Sequence, residues 1–185
     1  MIDPTPRLDE VARAEILILA RKTLESYFRS GEIPDHVTSH SALHARCGAF
    51  VTLSRAGQLR GCIGHIVTRE ALYRTVQRCA VSAAVEDYRF PPVTTDELQE
   101  VEIEVSVLTP MRRISDVNQI EVGTHGLYIV HGMQRGLLLP QVATEYGWSR
   151  ETFLAQACRK AGLPDDAWQQ RSTEIHTFEA QVFGE

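Results

Sequence analysis

Arg60 and Cys62 are the residues of this chain whose types and spacing point most directly to chemistry. They lie in Leu59-Arg60-Gly61-Cys62-Ile63-Gly64-His65, after the apolar run Ala49-Phe50-Val51-Thr52-Leu53 and the turn-like Arg55-Ala56-Gly57-Gln58. That order predicts a β-hairpin whose return strand carries the motif. Successive side chains of a strand point to opposite faces, so Arg60, Cys62 and Gly64 share one side, and Leu59, Gly61 and Ile63 the other. Arg60 and Cys62 are then same-face neighbours about 7 Å apart, close enough for a guanidinium to favour the thiolate. Gly61 and Gly64 carry no side chain, which suits close approach by a ligand or by another strand or helix.

A nucleophilic cysteine needs a base, and none stands beside this one. His65 falls on the opposite face if the strand continues, and approaches Cys62 only if the chain turns after Gly64. Arg89 sits between Tyr88 and Phe90 in a segment, 87–93, that Pro91 and Pro92 keep out of helix. It reads first as a structural clamp and second as a cation for an acidic ligand. Glu102 and Glu104 lie on the polar side of an alternating strand, 101–108, whose valines and Ile103 face a core. Solvent-facing charge is the ordinary reading of Glu104; pairing with Arg60 or Arg89 competes with it. Gln141, following Pro140 at the end of a second hairpin, is a candidate amide contact.

The histidines are weaker signals. His36, His40 and His44 recur every fourth residue near Cys47, a spacing that would align metal ligands on a helix. Thr38, Ser39 and Ser41 are poor helix-interior residues, so a solvated loop is favoured and no metal is assigned. His125 and His131 flank a strand without a nameable acidic partner and read as surface or hydrogen-bonded side chains.

The elements that must position these residues follow from periodicity. An amphipathic helix over 8–30 places Leu8, Val11, Ile16, Leu19, Ala20, Tyr27 and Phe28 on one stripe and ends at Gly31. Thr68 is placed to cap a helix running to about Val85, with Leu72, Val76, Cys79, Ala80 and Ala83 inward. A hairpin spans 126–139, Ser149 caps a helix to Ala161, and 173–183 is a last strand-like piece. Hairpins with intervening helices predict α+β rather than a regular βαβ repeat.

The 185 residues are 43% hydrophobic and 23% charged, ordinary for a globular chain. A net charge of -5 gives no general drive toward nucleic acid or an anionic membrane. There is no apolar run of about 20 residues and no signal-peptide pattern at the N-terminus. With four cysteines and no CxxC, the expectation is a cytoplasmic protein with reduced thiols. No phosphate loop, GxGxxG, HExxH or GxSxG is present, nor a tight three-cysteine motif for a radical cluster.

The LRGCIG stretch resembles the signature of the AMMECR domain family, whose prokaryotic members are called AmmeMemoRadiSam system protein A. The likeness continues through Ala49 to Leu53, Asp87 to Val93, Glu104 to Leu108, Leu138-Leu139-Pro140-Gln141-Val142, Lys160-Ala161-Gly162-Leu163 and Trp168. The resemblance implies a single compact domain over 1–185, with a mixed, mainly antiparallel sheet flanked by helices. A smaller α/β lobe is expected within about 110–147, and a cleft between lobes bordered by the motif strand. No cofactor is assigned from the residues; the family's system name implies association with a Memo-like protein and a radical SAM protein. Three readings stay open. In the first, Arg60, Gly61, Gly64, His65, Arg89, Glu104 and Gln141 serve a binding or adaptor surface for a small acidic ligand or a partner protein. In the second, Cys62 is a nucleophile activated by Arg60; in the third, the motif is structural. The missing base puts binding first.

Overall fold

The computed structural model describes residues 7–185. Helix α1 (Glu10–Ser30) begins where the Asp9 side chain accepts the Ala12 N–H, and ends at Gly31 in the left-handed region, φ 77°. The hairpin follows: β1 (Ala49–Arg55) and β2 (Gln58–His65) turn through Ala56 and Gly57, both at positive φ. Helix α2 (Leu72–Val85) starts three residues later than the Thr68 cap implied, with Ala71 in the cap position. The Thr68 hydroxyl accepts the Glu70 N–H at 3.0 Å, closing a local turn that competes with helix.

Strand β3 (Val101–Leu108) lies on the other side of β1 from β2, both antiparallel to it, and β8 (Ala180–Gly184) completes the order β2-β1-β3-β8. Helices α1 and α2 cover one face of this sheet, burying Ile16, Leu24, Val51, Leu53, Val76, Ile103 and Val105. The fit is tight at Gly61, where an added Cβ would lie 2.0 Å from the Ala83 carbonyl oxygen of α2. The described residues up to 108, together with 181–185, form this first compact unit.

Residues 109–180 form the second, which extends past the 110–147 segment expected from the sequence. It holds β4 (Arg112–Ile114), β5 (Gly126–His131), β6 (Gln134–Leu138), α3 (Pro140–Glu145), α4 (Arg150–Lys160) and β7 (Thr173–Phe178). Its antiparallel sheet runs β4-β7-β5-β6, over a core of Ile120, Leu127, Ile129, Phe153 and Leu154. Pro140, pre-set in φ, opens α3, so Gln141 belongs to a helix start rather than a hairpin end. The strand-like piece 173–183 is two strands broken at Glu179, β7 and β8 belonging to different sheets.

The architecture is α+β: four helices and two four-stranded antiparallel sheets among the described residues. No helix among them is long and apolar enough to cross a membrane.

Candidate functional site

The register sets Cys62 opposite Thr52 and Thr52 opposite Glu104, a row across β2, β1 and β3. Val51 and Leu53, on either side of Thr52, are fully buried beneath the helices, so the row lies on the sheet's other face. The Thr52 hydroxyl donates to Cys62 Sγ at 3.3 Å. Burial pushes the Cys62 thiol above its ordinary value; the Thr52 bond and the Arg89 charge pull it back only partly, while Asp87 and Glu104 add to the rise. The net direction favours the thiol over the thiolate.

Strand β2 is an edge strand, and its exposed backbone at Cys62 needs partners. An ion pair supplies them. Asp87 Oδ2 accepts the Cys62 N–H at 2.8 Å, and Arg89 Nη2 donates to the Cys62 carbonyl at 3.3 Å. The Arg89 guanidinium also grips both Asp87 oxygens, at 2.9 and 2.6 Å. With the Arg89 hydrogen bonds as the main cause, the Asp87 carboxyl is held far below the usual carboxylate range. The pair thus does at one residue what a further strand would do. Arg89 acts here as a clamp.

Arg60 sends its hydrogen bonds to the loop beyond α2. Its guanidinium is shared between Glu97, at 3.2 Å from Nε and 3.0 Å from Nη2, and the carbonyls of Pro91 and Pro92, at 2.7 and 3.1 Å. Proline carbonyls have no strand or helix to bond with here, and a planar fork of donors can reach both together with a carboxylate. Arg60, followed by the Thr94 N–H, lowers the Glu97 pKa to about 2. The 87–93 loop is consequently fastened to β2 at two points, Cys62 and Arg60.

The remaining predicted site residues divide. Gly64 is pressed beneath the Phe50 ring, where an added Cβ would lie 2.3 Å from the ring. His65 is still within β2, opposite Ala49, and so alternates to the face away from the Cys62 thiol. Gln141 belongs to the second unit, its side-chain oxygen buried with no hydrogen-bond partner among the described residues. The loop histidines are separately engaged: His36 Nε2 lies 2.9 Å from Glu15, and His44 Nε2 lies 3.1 Å from the Thr38 carbonyl oxygen. No group of three His, Cys, Asp or Glu among the described residues could hold a metal ion.

Three residues without a role in the sequence reading carry much of this geometry: Thr52, Asp87 and Glu97. Glu97 had a legible signal, because Thr94-x-x-Glu97 has capping-box spacing, and Thr94 and Glu97 do exchange backbone-to-side-chain bonds at 2.8 and 3.3 Å. Between the two clamping residues, Tyr88 stands out from the loop with 94% of its surface exposed. Leu59, on the same edge strand, is 44% exposed.

An α+β chain with two four-stranded antiparallel sheets and a doubly clamped Arg-Gly-Cys edge strand is the class these observations define. The AMMECR1 family profile matches residues 17–183, and the chain belongs to that family. A protein of Methanothermobacter thermautotrophicus is 42% identical over 176 residues, 90% of this chain and 91% of that one. One of Thermococcus gammatolerans is 45% identical over 179 residues, 90% of this chain and 87% of the other. The crystal structure of an uncharacterized protein, PH0010, from Pyrococcus horikoshii is similar with a TM-score of 0.89 and 39% identity, covering 92% of this chain and 90% of that one.

Proposed function

We propose that this protein is a non-catalytic binding component, an adaptor that recognises a partner protein through the β2 edge and the loop fastened to it. One observation carries the reading: the charged groups of the motif region are consumed by structural bonds, with Arg60 on Glu97 and two carbonyls and Arg89 on Asp87 and Cys62. What they hold in place is a shaped surface rather than a reactive group. Tyr88 is the feature that surface offers outward. Tyrosine on a rigid support is an effective interface anchor, because it contributes large contact area with little entropy left to lose. The system name attached to the family supplies the partners to test, a Memo-like protein and a radical SAM protein of the same genome.

The test is titration of each purified partner with the wild-type chain, Tyr88→Ala and Cys62→Ser. Tyr88→Ala should weaken binding about tenfold or more, the loss of roughly 1.4 kcal/mol, while Cys62→Ser binds like wild type. If neither partner binds, or if Cys62→Ser abolishes binding and Tyr88→Ala does not, the adaptor reading fails.

A further inference from the structure

A cavity of about 270 Å³ opens in the second unit where β4 begins, β7 ends and the chain enters β5. Its walls combine three polar groups of different character, Arg112, His125 and Glu179, with apolar surface from Pro110 and Phe178. Arg112 is set by pairing of β4 with β7, opposite Thr177, and its guanidinium makes no ion pair or hydrogen bond among the described residues. Its neighbour Arg113, by contrast, is bonded to Glu174 at 3.1 Å.

The other two groups are held by short local rings. Glu121 N–H donates to His125 Nδ1 at 3.0 Å, and the His125 N–H returns a bond to the Glu121 carbonyl at 2.9 Å. With Nδ1 accepting, a neutral imidazole carries its proton on Nε2, which makes the free ring nitrogen a donor. Glu179 is fixed on both sides of its peptide: its N–H donates to Thr109 Oγ1 at 2.7 Å, and its carbonyl accepts the Thr109 N–H at 2.9 Å. Its carboxylate is left without an ion pair among the described residues. The aromatic wall is equally constrained, since Gly126 leaves the space that the Phe178 ring fills; a Cβ there would come within 2.3 Å of it.

One cation, one ring N–H donor and one carboxylate around a partly apolar cavity match a ligand that is itself zwitterionic. A simple anion would meet the repulsion of Glu179, and a simple cation that of Arg112. We propose that this cavity binds a small free α-amino acid with an apolar side chain. Its carboxylate lies on Arg112 and His125 Nε2–H, its ammonium on Glu179, and its side chain against Pro110 and Phe178. The site is separate from the Tyr88 surface, and its failure would leave that reading untouched.

The test is calorimetric titration of the full chain with L-leucine, 4-methylpentanoate, which lacks the ammonium, and L-leucinamide, which lacks the carboxylate. L-Leucine should bind with a Kd below about 1 mM and each analogue about tenfold or more weaker, as expected when one charge partner is lost. Arg112→Ala and Glu179→Gln should each weaken leucine about tenfold at unchanged thermal midpoint, both side chains being on the surface. No saturable binding, equal affinity for 4-methylpentanoate and leucine, or leucine affinity unaffected by either substitution would overturn the proposal.

Discussion

Replacing Asp87 should uncover how strongly the edge of β2 depends on one buried carboxylate. The Asp87 side chain is 3% exposed and accepts from the Cys62 N–H, the Arg89 N–H and two guanidinium nitrogens. Asp87→Ala strands the Cys62 amide, at about 1–3 kcal/mol, and removes the charge-assisted bonds to Arg89. Arg89 is 38% exposed, so water takes over much of its share, and that contribution is discounted accordingly. The expected total is about 3 kcal/mol for Asp87→Ala, and about half that for Asp87→Asn, which keeps one acceptor oxygen for the amide. Tryptophan fluorescence is a poor reporter, because Trp148 and Trp168 both belong to the second unit. Amide hydrogen exchange at Cys62 reads the affected bond directly, and its rate should rise roughly 100-fold in Asp87→Ala under conditions where exchange follows opening. The sign with pH is fixed by the lowered folded-state pKa of Asp87. Its contribution is complete above the unfolded value of about 3.9 and is lost as pH falls toward the folded value, so acid should destabilise the wild type more steeply than Asp87→Asn. A cost below about 1 kcal/mol for Asp87→Ala, or a larger cost for Asn than for Ala, would refute the reasoning.

Three further perturbations probe the rest of the clamp and the packing around it. Glu97 has a folded-state pKa of about 2, set mainly by Arg60, so its stabilisation should be present above the unfolded value of about 4.3 and vanish as pH falls toward 2. Glu97→Gln should therefore lower the denaturation midpoint at neutral pH, and its difference from wild type should shrink at pH 2; a constant difference would show that charge is not what Glu97 contributes. Gly61→Ala drives a Cβ to 2.0 Å from the Ala83 carbonyl oxygen, backbone against backbone, and should cost about 3 kcal/mol in urea unfolding followed by circular dichroism. Gly64→Ala meets a side chain instead, so Phe50→Ala should relieve part of its cost in the double variant; strict additivity would contradict the packing.

Much of the first sheet was legible in sequence because its signals are local. Alternation in Val101 to Leu108 and the Arg55-Ala56-Gly57-Gln58 turn correctly implied β3 and the β1–β2 hairpin. The short strand β4 and the six-residue α3 were not, since three to six residues carry too little periodicity to be distinguished from loop. The split of 173–183 between two sheets is likewise invisible to a pattern read along the chain. At the site, plain alternation put Arg60 and Cys62 on one face, but the β1–β2 register shifts between Leu53 and Ser54 and leaves Arg60 without a partner on β1, and neither that irregularity nor the direction of the guanidinium was legible. It depends on Glu97, 37 residues away in the chain, and on two proline carbonyls that only the folded loop brings within reach. Asp87 was similarly hidden. An aspartate before an aromatic reads as a turn residue until the edge strand it caps has been located.

The measurement that bears most directly on the central claim is the pH profile of Cys62 alkylation in the native protein, followed on its own peptide by mass spectrometry, with Arg60→Ala beside it. Cys62 is half-buried and its thiol raised by burial, and Arg60 is committed to Glu97. The account predicts a midpoint above the ordinary thiol value of about 8.5 that Arg60→Ala leaves in place. A midpoint well below about 8 that rises when Arg60 is removed would contradict it and make Cys62 an Arg60-activated nucleophile.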